Sequence, residues 1–158
     1  MGFNVYSLLR YLFLLCLGLF GFNLIYSIFT PITSIPAYLI IKIIYPSALL
    51  NGLTEILVNG DKILLVNACI AGSAYYFLLF LNLTTPMQSK KRVQSILFLL
   101  GIFLLANIIR ISLFSYLYLE GFELFDLYHM AVWYFGSTLF VVIIWFTNVR
   151  LFDINEIP

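Results

Sequence analysis

The chain has 158 residues, of which 63% are hydrophobic and 9% charged, with a formal net charge of +1 and a mean hydropathy of +1.07. So little polar surface cannot cover a water-soluble globule of this size, and the composition demands an integral membrane protein. The near-neutral charge gives no footing for a nucleic-acid partner or a polybasic lipid-binding surface, and two cysteines, Cys16 and Cys69, make no disulfide framework.

The first apolar run covers about residues 5–29 and closes at Thr30-Pro31. At ~1.5 Å per residue it is long enough for ~30 Å of hydrocarbon, and it is long for a signal-peptide core. Arg10 near its start leans the amino terminus toward the cytoplasm, and Cys16 inside it reads as an inert buried thiol. The next apolar stretch, 36–50, is short and carries Lys42 at its centre and Pro46 four residues later. A central lysine costs ~2.5–3.5 kcal/mol on insertion scales, which favours a helix in or dipping into the interface over a fifth span.

Two β-branched-rich runs follow, Glu55–Val58 and Lys62–Val66, on either side of Asn59-Gly60. Both turn residues tolerate positive φ, so the pattern predicts a small hairpin on the membrane surface that delivers the chain to Cys69.

The second span covers about 69–85 and ends at Pro86, before Lys90-Lys91-Arg92. Three consecutive basic residues in a short loop put that loop in the cytoplasm. The third span, 93–119, then runs outward to a loop carrying Glu120, Glu123 and Asp126, and the last, about 128–148, returns to Arg150. The expected fold is a single-domain, all-α membrane bundle of four helices, or five if 36–50 crosses. Because hydrophobicity is nearly all-round on each span, the buried sides are better read from Gly72, Ser73, Asn107, Ser112, Gly136 and Ser137.

The chemistry-bearing residues converge in depth. Arg110 lies 17 residues after Val93, roughly 26 Å along a helix at ~1.5 Å per residue, near the outer boundary. Asn107 shares its face three residues earlier. His129 opens the last span on the same side, with Asp126 three residues before it and able to orient its ring if that helix starts early. Cys69 heads the second span, where a helix amino terminus and a nearby cation lower a thiol pKa below ~8.5. If the three meet, Cys69 is a nucleophile, His129 a general acid and base, and Arg110 a stabiliser of an oxyanion or a substrate carboxyl. The plainer reading keeps Cys69 as an inert thiol and Asn107 with Arg110 as a polar helix contact in a non-catalytic assembly subunit or small carrier. One His and one nearby Cys fall short of a metal site, and nothing calls for a cofactor.

Ala68-Cys69-Ile70-Ala71-Gly72 heading one span, Asn107-Ile-Ile-Arg110-Ile111 late in the next and His129 opening the last resemble the exosortase/archaeosortase family, over roughly 52–145. The similarity is closest to the short archaeal members, the pacearchaeosortase type. The resemblance implies a multi-pass plasma-membrane cysteine transpeptidase with its site at the external face. Its substrate would be the C-terminal tail of an exported, membrane-anchored protein, and the acyl group would pass to an acceptor such as a lipid. Cys69, Arg110 and His129 would be the nucleophile, the arginine and the histidine of that family. The common Cys-Ser-Gly or Cys-Thr-Gly is Cys-Ile-Ala-Gly here, which removes a hydroxyl that nearby Ser73 would replace and moves the glycine to Gly72. Larger members carry further amino-terminal spans, so a partner or a homo-oligomer would complete the substrate groove.

Overall fold

A computed structural model describes residues 5–154, which are mostly helical. Helix α1 (Val5–Phe20) meets α2 (Phe22–Ile44) at Gly21. A Cβ at Gly21 would stand 2.6 Å from the Leu17 carbonyl oxygen, so the join requires glycine. Then come α3 (Asn67–Ile70), α4 (Gly72–Thr84), α5 (Ser89–Leu119), α6 (Phe125–Ala131), a π-helical segment over Val132–Gly136, and α7 (Ser137–Leu151).

Among the described residues, four helical stretches are long and apolar enough to cross a membrane: Phe22–Ile44, Asn67–Thr84, Ser89–Leu119 and Phe125–Leu151. The first corrects the expected boundaries. The helix does not end at Thr30-Pro31 but runs through Pro31 and Pro36, so the spanning stretch is 22–44 rather than 5–29. Proline forfeits one ladder bond, yet Ile25, Ala37 and Ile41 are buried on this helix, and helices packed among neighbours hold their course through proline. The separate interfacial helix expected over 36–50 is thus the end of α2, a turn and a strand. Lys42 is accommodated in the last turn of α2, where the helix dipole favours a cation. Its Nζ donates to the Tyr38 hydroxyl at 2.8 Å and lies 5.3 Å from that ring's centroid. Cys16, expected to be buried, is exposed on the outer face of α1.

Strands β1 (Leu49–Asn51), β2 (Glu55–Val58) and β3 (Asp61–Leu64) form an antiparallel sheet in that order. The expected hairpin is β2–β3, closed by Asn59 at φ 52° and Gly60 at φ 101°. Strand β1 is an addition to the expected hairpin. Ile56, Val58 and Leu65 point inward to a cluster with Ala37 and Ile41 of α2 and Ile108 and Ile111 of α5. A second cluster, with Tyr75, Leu78, Leu99, Phe103, Ile144 and Trp145, joins α4, α5 and α7. Cys69 packs against the first cluster and Ala71 belongs to the second, so the turn between them lies where the two cores meet.

At the far end, Asn82 Nδ2 donates to Ser95 Oγ at 2.6 Å, and Ser95 Oγ donates to Asn148 Oδ1 at 2.8 Å. Arg92, read from sequence as part of a cytoplasmic loop cluster, is buried there. It donates to the Asn82 carbonyl and, at 2.9 Å, to the Thr85 carbonyl, so it caps the carboxyl end of α4.

Candidate active site

The site begins with a break in a helix. Residues Asn67–Ile70 make one turn, Ala71 takes the left-handed conformation at φ 60° and ψ 42°, and α4 starts at Gly72. A non-glycine residue there costs roughly 1–2 kcal/mol. Gly72 permits the close approach of α2, since a Cβ would stand 2.7 Å from the Tyr26 ring. The break also corrects one expectation: Cys69 belongs to the single turn α3, and the amino terminus of the long helix lies three residues beyond it.

With the ladder interrupted, the carbonyls of Cys69 and Ile70 need other donors. They receive them from α5. Asn107 Nδ2 donates to the Cys69 oxygen at 3.0 Å and to the Ile70 oxygen at 3.3 Å, and Arg110 Nη2 donates to the Cys69 oxygen at 3.0 Å. Satisfying freed backbone groups from a neighbouring helix is how an apolar bundle tolerates irregular backbone. Asn107 is buried and Arg110 half-buried.

His129 stands in α6, which starts at Phe125, early enough to put Asp126 one turn ahead of it. Among the described residues no hydrogen bond or ion pair links the two, and both are exposed. The imidazole is instead held by aromatic rings. It stacks on Phe125 at 5.3 Å with an 11° interplanar angle and meets Phe114 edge-on at 5.2 Å.

Cys69, Arg110 and His129 line one cavity of about 280 Å³ bordered by β3 and, with Val66 and Trp133, an adjoining one of about 270 Å³. Cys69 is a free, half-buried thiol. The chemistry available is a thiol, an imidazole and a guanidinium on a shared, mostly apolar space. Ser73 is not among them. It is exposed and lines a separate cavity of about 620 Å³ with Ala68, Arg110 and Ser137. Among the described residues no group of three His, Cys, Asp or Glu side chains converges as a metal site would require.

The structure adds lining residues that the sequence reading passed over: Lys62, Phe114, Ser115 and Tyr118. On α5 the signal was present, since Asn107, Arg110, Ile111, Phe114, Ser115 and Tyr118 follow helical spacing from one face. It was hidden because the helix is apolar on every side. The π-helical segment also matters, as it brings Gly136 and Ser137 to a cavity shared with Asn107 and Arg110.

Comparison with protein-family models, with curated proteins and with solved structures finds no match.

Proposed function

We propose that this chain is a membrane-embedded cysteine transpeptidase, the activity implied by the resemblance to exosortases and archaeosortases. The observation that carries the reading is the meeting of Cys69, Arg110 and His129, from three separate helical stretches, on one cavity. In the proposed reaction His129 takes the Cys69 proton as sulfur attacks a substrate carbonyl. The tetrahedral oxyanion is met by Arg110 donors other than the Nη2 bonded to the Cys69 carbonyl. Collapse expels an amine that leaves with the proton from His129 and forms a thioester on Cys69. An acceptor hydroxyl or amine, such as that of a lipid, gives its proton to His129 and takes the acyl group. The substrate is the C-terminal tail of an exported protein, and the reaction takes place at the external face of the plasma membrane.

A second reading is favoured by one specific contact. Arg110 and Asn107 hold the backbone of the Cys69 turn, as a purely structural polar contact in a non-catalytic subunit or carrier would. The two readings part in a co-expression experiment with a tailed membrane-anchored substrate. For the transpeptidase, Cys69→Ala and His129→Ala each abolish processing while the protein still accumulates in the membrane. Normal processing by Cys69→Ala, with only Arg110→Ala impairing accumulation, would establish the structural reading instead.

A further inference from the structure

Strand β3 is the last strand of its sheet, and among the described residues no strand pairs with its outer side. Its backbone polarity can be assigned from the turn. A two-residue hairpin loop makes the flanking pair, Val58 and Asp61, a hydrogen-bonded pair. The alternation then makes Ile56 and Ile63 the next such pair and Thr54 and Leu65 the one after, and the Leu65 N–H does donate to the Thr54 carbonyl at 2.7 Å. The N–H and C=O groups of Asp61, Ile63 and Leu65 therefore turn toward β2, and those of Lys62 and Leu64 turn outward.

That outer side faces the cavity. Lys62, Ile63, Leu64 and Leu65 all line the same space as Cys69, Arg110 and His129. Alternate residues of a strand point to opposite faces of a sheet, so a space touching four in succession meets the strand along its edge. The edge leads straight to the thiol, because the Cys69 N–H donates to the Val66 carbonyl at 2.8 Å, one residue beyond that wall. Soluble sheets cover, shorten or charge such an edge to prevent unwanted pairing.

We infer that the outer edge of β3 is the substrate-binding strand: an extended peptide segment pairs with Lys62 and Leu64 and so presents its carbonyl to Cys69. The inference rests on the transpeptidase reading and names how its substrate is held. The donors and acceptors on the edge decide the occupant. Lys62 and Leu64 are two residues apart, about 6.8 Å at ~3.4 Å per residue, the repeat of an extended backbone. A transmembrane helix has its backbone groups tied internally and a lipid chain has none to offer, so neither completes the ladder. Peptides that add a strand to an exposed edge draw affinity from the main chain, which makes the mode tolerant of sequence at this step.

That tolerance allows a test before the natural substrate is known. Cys16→Ser protein in detergent is treated with N-acetyl-trialanine chloromethyl ketone, whose methylene carbon bonds to Cys69 sulfur as chloride leaves and the thiol proton passes to buffer. Its rate is compared with that of the same reagent N-methylated at every amide, and each is divided by the rate with iodoacetamide. The expected result is saturable labelling by the unmethylated peptide, about tenfold faster than by the methylated one, the worth of one or two net backbone hydrogen bonds. Leu64→Pro, which removes an outward N–H without touching the ladder to β2, should bring the two peptide rates together. Equal rates for the two peptides on the unaltered edge overturn the inference while leaving the thiol reading intact. Failure of iodoacetamide itself to label Cys69 overturns the transpeptidase reading and the inference with it.

Discussion

Asn107 shows how one side chain decides the geometry of a site it does not react in. The Ala71 kink frees two carbonyls, and Asn107 bonds to both while Arg110 reaches one. Replacing Asn107 with alanine leaves the Ile70 oxygen without its donor in a buried place, which costs about 1–3 kcal/mol. The expected outcome is a lowered thermal unfolding midpoint in detergent, and an unchanged midpoint would show that water or Arg110 takes over the bond. The sequence allowed Asn107 and Arg110 to be placed on one helix face, because three residues along a helix is a local relation. It did not reveal that both face the backbone of Cys69, since that depends on how α3 and α5 pack. Asp126 shows the converse: its spacing from His129 is right, yet the ring is oriented by Phe114 and Phe125.

At the scale of elements, the sheet is fastened by contacts that titrate. Glu55 pairs with Lys62 and accepts from Asn51 Nδ2. The Lys62 bond chiefly, then the Asn51 bond, holds its carboxyl below the ordinary 4.5. Its contribution to stability is therefore present above pH 4.5 and lost as pH falls through the lower folded value. The Tyr45 hydroxyl donates to Glu120 Oε1, joining the end of α2 to the end of α5, and this bond pushes the phenol up to about 12 from 10.0. That contribution is complete below pH 10.0 and lost as pH rises through about 12. Protection of the amides over 49–65 against exchange, corrected for the intrinsic rate at each pH, should accordingly fall as pH drops through the lowered Glu55 range. Tyrosine absorbance in Tyr45→Phe protein should lack a phenol that titrates near pH 12. A corrected protection that stays flat across that acid range would detach the Glu55 contacts from the stability of the sheet.

Across the whole molecule, polar side chains gather at two ends of an apolar bundle. Asn82, Ser95, Asn148 and Arg92 tie α4, α5 and α7 at one end, and Asn107 and Arg110 hold the Cys69 turn at the other. Lys90 and Lys91 are exposed or half-exposed beside the first group, and the proposed orientation, with that end in the cytoplasm and Cys69 outside, rests on the positive-inside rule. A charged, membrane-impermeant thiol reagent applied to intact cells expressing Cys16→Ser protein should then label Cys69 without permeabilisation. Labelling only after permeabilisation would reverse the proposed orientation.

Hydropathy alone determined that the chain carries helices long and apolar enough to cross a membrane, because ~20 apolar residues is a property of a segment in itself. Turn chemistry at Asn59-Gly60 likewise determined the β2–β3 hairpin, since positive φ is a demand on two adjacent residues. Tertiary structure decided the rest. It carried α2 through two prolines on the strength of packing, and it buried Arg92 as a cap where the sequence offered only a basic loop. It also bonded Arg110 to a carbonyl 41 residues away. Each of these depends on which surfaces meet, and helices that are apolar on every side carry no local pattern that says so.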